Sequence, residues 1–121
     1  EMLGIADRAS RLAGDLSHGE KRALELAVAI ASEPKALLLD EPMAGMGRDE
    51  SAALIETLAR LKADYPLLLV EHDMDAVFAL ADRISVLVYG EIIATGSVDD
   101  IRNNPDVQKA YLGETESELL C

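Results

Sequence analysis

Asp40 and Glu41 stand at the end of an apolar run, Ala36-Leu37-Leu38-Leu39, and Pro42 follows them. Two adjacent carboxylates at a strand tip can divide work between them, because successive strand residues point to opposite sides. One can hold a hard divalent cation such as Mg²⁺, and the other can orient and deprotonate a water as a general base. A second apolar run, Leu67-Leu68-Leu69-Val70, ends in Glu71-His72-Asp73. Both runs thus deliver polar groups at a C-terminal strand end, which is where ligands bind in open α/β sheets. A third group, Leu16-Ser17-His18-Gly19-Glu20, opens a helical segment. Taken alone, Ser17 and Glu20 have capping-box spacing and need no role beyond starting the helix. The same serine hydroxyl, a glycine that admits close backbone approach and the positive end of a helix dipole also make an anion site. Glu71, His72, Asp73 and Asp75 do not form a convincing metal cluster, because alternating strand and helix positions scatter the ligands.

The elements that must position these residues follow from apolar spacing. Leu24, Ala27, Val28 and Ala31 fall at i, i+3, i+4 and i+7 after Ser17, which predicts a helix stopped at Glu33-Pro34. Residues 36–40 and 67–71 read as short buried strands of a parallel sheet. Between them Gly45 and Gly47 break the chain before a helix with Leu54, Leu58 and Leu61 on one side, closed by Tyr65-Pro66. Asp73 is placed to cap a third helix whose expected buried stripe is Met74, Val77, Phe78 and Ala81. Residues 84–89 and 92–95 form an expected β-hairpin with its turn at Gly90-Glu91. Ser97 and Asp100 are spaced to cap a short helix, and Asn104-Pro105 to start the last one, which Gly113 ends. Residues 1–16 read as the end of a helix begun upstream. Residues 1–113 are expected to be one domain and 114–121 a flexible tail.

Composition narrows the possibilities. A chain of 121 residues that is 50% apolar and 3% aromatic has the material for one core, filled by aliphatic side chains. With 23 acidic against 11 basic residues the formal charge is −12, which argues against a nucleic-acid or anionic-membrane surface. No apolar stretch approaches the roughly 20 residues that span a bilayer. Cys121 is the single cysteine, so no internal disulfide forms and a reducing, cytoplasmic setting fits. The start at Glu1 rather than at a methionine suggests a processed or excised piece.

A phosphate-cradling loop needs Gly, four residues, then Gly-Lys-Ser/Thr. Gly14 and Gly19 have that separation, but Glu20 stands where the lysine belongs. The loop is therefore not present. In order and spacing, Leu16–Glu20, Leu37–Pro42 and Leu69–Met74 resemble the signature sequence, Walker B strand and switch histidine of ABC-type ATPases.

That resemblance covers roughly residues 12 to 113 and implies a partial P-loop NTPase fold: α/β, a mostly parallel sheet with flanking helices and a C-terminal β-hairpin, lacking the Walker A half. It implies ATP and Mg²⁺ as cofactors of the full-length subunit. Asp40 would hold the metal, Glu41 would be the general base and His72 would reach the γ-phosphate. Ser17, His18, Gly19 and Glu20 would grip nucleotide held by a second ATPase subunit. His18 and Glu20 depart from the family's usual Leu-Ser-Gly-Gly-Gln, and Gly47 replaces the aspartate of the D-loop, which puts aspartate-dependent cross-talk between subunits in doubt. Leu-Ser-His-Gly-Glu and Ala-Tyr-Leu-Gly-Glu at 110–114 look like the subunits that power branched-chain amino acid uptake. The implied partners are that second ATPase subunit and transmembrane permease subunits, at the cytoplasmic side of the membrane and without nucleic acid. Two rival readings are a soluble ABC protein of DNA repair or translation, which calls for basic surface, and a non-catalytic interaction fragment. The isolated chain is expected to be inactive, and to be oligomeric because the absent half leaves apolar residues such as Leu68, Val70, Ile84 and Val86 without cover.

Overall fold

The computed structural model describes residues 3–112. It divides into two units, Glu1–Leu80 and Ala81–Cys121. The first unit begins with two short 3₁₀ turns, Ala6–Arg8 and Ala13–Asp15, where the sequence suggested the end of a helix. Gly4 already lies at φ +71°, a left-handed conformation that breaks helical continuity.

The elements that follow are α1 (His18–Ala31), β1 (Leu37–Asp40), α2 (Arg48–Leu61), β2 (Leu67–Val70) and α3 (Met74–Leu80). Strands β1 and β2 pair in parallel, Leu37 opposite Leu67 through Asp40 opposite Val70. The connection through α2 is the crossover that a parallel pair requires. One side of this pair meets the core made by Leu26, Met43, Leu54, Leu58, Leu61, Ala76 and Leu80, with Leu39, Leu67 and Leu69 packed against it. The other side carries Leu38, Leu68 and Val70, which remain 74%, 59% and 54% exposed.

The stripe Leu54, Leu58 and Leu61 is buried as its spacing predicts. Truncating Leu58, which is fully buried, is expected to cost about 2–5 kcal/mol through lost transfer energy and the cavity left behind. A urea titration followed by circular dichroism checks this. The stripes expected on the other two helices are not the buried ones. In α1 the core residue is Leu26, while Leu24 and Val28 are exposed, and in α3 Ala76 and Leu80 are buried. Periodicity finds an apolar side of a helix, but a short helix with apolar residues on several sides leaves the choice to its neighbours. Asp73 caps α3 as expected, its Oδ1 accepting from the N–H groups of Asp75 (3.1 Å) and Ala76 (3.3 Å).

The second unit pairs β3 (Ile84–Val88) with β4 (Glu91–Gly96) antiparallel, followed by α4 (Val98–Arg102), α5 (Pro105–Val107) and a π-helical turn to Leu112. The hairpin is present, but its turn is one residue earlier than expected. Tyr89 (φ +48°) and Gly90 (φ +82°) occupy its two central positions, the pattern of a type I′ turn, and Glu91 already belongs to β4. A bulge between Val86 and Leu87 shifts the register. Ser97 and Asp100 form a complete capping box, and the Asn104 side chain caps α5. Ile84 and Val86 are buried, so the expectation that they lack cover is wrong; Ile101 and Val107 of the same unit are buried too. The end of the last helix at Gly113 and the tail 114–121 lie outside the described residues.

Candidate functional site

The parallel register carries β1 and β2 to the same end, and their ladder continues one bond past β1, where the Glu41 N–H donates to the Val70 carbonyl at 2.7 Å. This brings the exits of the two strands together. Glu41 sits at φ +45°, a left-handed conformation that is uncommon for a residue with a side chain and costs of order 1–3 kcal/mol. Its side chain turns toward His72, and Nδ1 of that ring lies 2.9 Å from Glu41 Oε1. An ionised carboxylate can only accept, so Nδ1 carries the hydrogen in this contact, and Nε2 takes no part in it. His72 is 74% and Glu41 51% exposed, which leaves both accessible to a ligand.

Asp40, the last residue of β1, is not part of this pair. It is exposed and lines a different hollow, about 360 Å³, with Arg22, Glu25, Leu26, Ala29, Leu38, Leu39 and Pro42. The two neighbouring carboxylates therefore address separate surroundings. Among the described residues no group of three or more His, Cys, Asp or Glu side chains is arranged to hold a metal. A single carboxylate such as Asp40 fits the way Mg²⁺ is held when most of its oxygens come from substrate phosphates and water.

Ser17, His18, Gly19 and Glu20 form the first turn of α1, away from that hollow. Ser17 Oγ accepts from the Glu20 N–H (3.1 Å), and the Ser17 N–H donates to Glu20 Oε1 (3.2 Å), a complete capping box. Glu20 Oε2 accepts from Arg8 Nε at 2.8 Å, so both carboxylate oxygens are engaged within the chain. Ser17 and His18 are exposed. Gly19 lies beside Glu50, and a Cβ added there would meet that side chain at ordinary contact distances of 3.5–3.6 Å. Ser17, Gly19 and Glu20 line a hollow of about 220 Å³ with Leu3, Ile5 and Glu50, and neither Glu41 nor His72 lines it. Gly47 is the N-cap of α2 and offers no side chain to its first turn.

The Ser17 N–H, with the Ser17 hydroxyl and Arg8, holds the Glu20 carboxyl below its ordinary value. A carboxyl that is more acidic in the folded chain adds stability above its unfolded value and loses it as pH falls through the folded one. Glu20→Gln keeps the shape of the box but removes the charge. The stability gap between wild type and this variant should therefore be present at neutral pH and close below about pH 4. Thermal unfolding at pH 7 and pH 3 measures it.

Sequence reasoning passed over Glu71. Its side chain is only 2% exposed, and Oε1 accepts from the N–H groups of His72 (3.0 Å) and Asp73 (3.4 Å) while Oε2 accepts from that of Met43 (3.4 Å). The signal was available, since Leu67, Leu69 and Glu71 share one side of an alternating strand and the first two meet the core.

Comparison with known proteins shows what the chain is similar to. A family model described as ABC transporter matches residues 1–44, and one described as branched-chain amino acid ATP-binding cassette transporter matches residues 91–117. The chain is 43% identical over 116 residues to the high-affinity branched-chain amino acid transport ATP-binding protein LivG of Salmonella typhimurium, covering 94% of this chain and 46% of LivG. The chain is similar to the ATP-binding proteins of ABC transporters. BraF of Pseudomonas aeruginosa, with the same description, is 41% identical over the same shares. Among solved structures, the ADP conformation of the ABC transporter cassette MJ1267 aligns with a TM-score of 0.82 at 30% identity, over 93% of this chain and 46% of that one. A nucleotide-free cassette from an ABC transporter gives 0.81 at 29%, over 91% and 46%. The fold is thus the α/β fold of ABC cassettes in part, and the chain spans about half the length of the relatives it matches.

Proposed function

We propose that this chain supplies the signature, Walker B and switch-histidine parts of an ATP-hydrolysing subunit that powers an ABC transporter, with branched-chain amino acid uptake as its task. The observation that carries the reading is the 2.9 Å contact between Glu41 and His72 at the paired ends of two parallel strands, with Asp40 lining a separate hollow. Glu41 orients the attacking water and takes its proton. His72 contacts the terminal phosphate through Nε2, which donates to a phosphate oxygen only when the ring carries a second proton there, since Nδ1 already holds one toward Glu41; that Nδ1 contact fixes the ring. Asp40 would hold Mg²⁺, which when bound would offset charge on the phosphates. Ser17, His18, Gly19 and Glu20 act on nucleotide held by a second ATPase subunit. Their separation from Glu41 and His72 within one chain supports that division, as does the accessible N-terminal turn of α1.

The 121-residue chain alone carries Asp40, Glu41, Asp73 and Asp75 near the strand ends and has no phosphate-cradling lysine loop. It is therefore proposed to be inactive by itself and to self-associate. Permease subunits are its partners, at the cytoplasmic side of the membrane. No helix among the described residues is long and apolar enough to cross a membrane. The names of the LivG and BraF relatives support the branched-chain amino acid assignment.

The test joins this chain to the segment of LivG that it does not match, giving a complete cassette. Steady-state ATP hydrolysis by that protein is expected, and its absence in a folded, ATP-binding cassette would refute the reading. Mixing a Ser17→Arg subunit with a Glu41→Gln subunit leaves one of two composite sites free of both lesions. Partial recovery of activity on mixing is expected, whereas no recovery counts against action between subunits.

A further inference from the structure

We propose that Glu71 is a positioning residue that sets the Glu41–His72 geometry by tying together the backbone exits of β1 and β2. The role in catalysis rests on the reading of Glu41 and His72 given above; the positioning itself does not.

Burying a carboxylate is costly unless hydrogen bonds replace the water it loses. The Glu71 side chain is almost fully buried, and its replacement donors are all backbone N–H groups of the two strand exits: His72 and Asp73 after β2, Met43 after β1. Bonds to an ionised acceptor are the stronger kind. The carboxylate therefore acts as a clamp across two segments far apart in sequence, with one oxygen on each. Met43 lies two residues after Glu41, and His72 directly follows Glu71. A rotation at either exit would move one member of the 2.9 Å pair relative to the other. Glu71 Oε1 is 3.7 Å from His72 Nδ1, beyond hydrogen-bond distance, so Glu71 acts on His72 through its backbone. An apolar residue at 71 would fill the same space but leave three N–H groups unpaired. That explains why a strand running Leu67-Leu68-Leu69-Val70 continues its inward side with a carboxylate.

The experiment uses the 121-residue chain as wild type, Glu71→Ala and Glu71→Gln. Three quantities are read by NMR and melting: amide exchange of Met43, His72 and Asp73, the nuclear Overhauser contact between the His72 ring and the Glu41 methylenes, and the unfolding midpoint. In Glu71→Ala, all three amides are expected to exchange about ten- to a hundredfold faster, and the ring contact to vanish at temperatures where the chain remains folded. In Glu71→Gln, the carboxamide oxygen can still accept from His72 and Asp73, while its NH₂ faces the Met43 N–H. Only Met43 should then lose protection, with the ring contact weakened. A lower midpoint with the ring contact intact in both variants would show a merely structural carboxylate and overturn the proposal. If Glu71→Ala fails to fold, Glu71→Gln carries the test, and unchanged Met43 exchange in it overturns the proposal. In the joined cassette, Glu71→Gln is expected to lower kcat with KM little changed. A cassette that hydrolyses nothing would refute the ATPase reading while leaving the NMR result on Glu71 to stand or fall separately.

Discussion

Replacing Glu41 by glutamine in the joined cassette is expected to lower ATP turnover by about 10²–10⁴-fold, the usual contribution of a positioned general base. Glutamine preserves size and keeps an oxygen able to accept from His72 Nδ1 at the position that Glu41 Oε1 now holds. It cannot take the proton of an attacking water. Binding should therefore survive while the chemical step fails, and ATP-loaded cassettes should accumulate as a dimer. His72→Ala should behave differently, slowing turnover through a lost phosphate contact while Glu41 remains able to act. Steady-state phosphate release and size exclusion in the presence of ATP separate these outcomes. Unchanged hydrolysis in Glu41→Gln would mean that another group is the base.

The 121-residue chain by itself is expected to associate, giving a mass above 13.0 kDa in light scattering. The cause is the outer side of the β1–β2 pair. Parallel strands are ordinarily covered on both sides, yet Leu38, Leu68 and Val70 are more than half exposed here. Full burial of such a side chain stabilises by about 1.5–3 kcal/mol. Six of them, three from each copy, yield a sum comparable with the roughly 4–15 kcal/mol of freedom lost on association. The balance is therefore set by charge. At −12 per chain, two copies repel, and salt near 0.1 M screens that repulsion beyond about 10 Å. Association should strengthen with salt and with concentration, and Leu68→Lys should weaken it. A salt-independent mass of 13.0 kDa would show that the exposed side needs no cover.

Much of the chain was legible as sequence because its signals are local. The caps at Ser17, Asp73, Ser97 and Asn104 each satisfy N–H groups two or three residues away, so residue type and spacing suffice to find them. The short apolar runs ending in polar residues likewise marked β1 and β2, and the family resemblance followed from their order. What failed was any choice made by a partner distant in the chain. Leu26 rather than Leu24 or Val28 faces the core because α2 and the strands determine which side of α1 is covered. Ile84 and Val86 were expected to lie bare, but they are buried within their own unit.

The site shows the same division. Sequence alone determined that Asp40 closes one short strand and that His72 follows just after another, because a short apolar run ending in polar residues is a local signal. Only the tertiary structure decided that Glu41 and His72 meet, since the parallel register of β1 with β2 fixes their exits side by side. It also decided what Glu71 does. A carboxylate becomes a clamp only when the backbone of another segment arrives beside it, and no spacing in the sequence encodes the arrival of Met43.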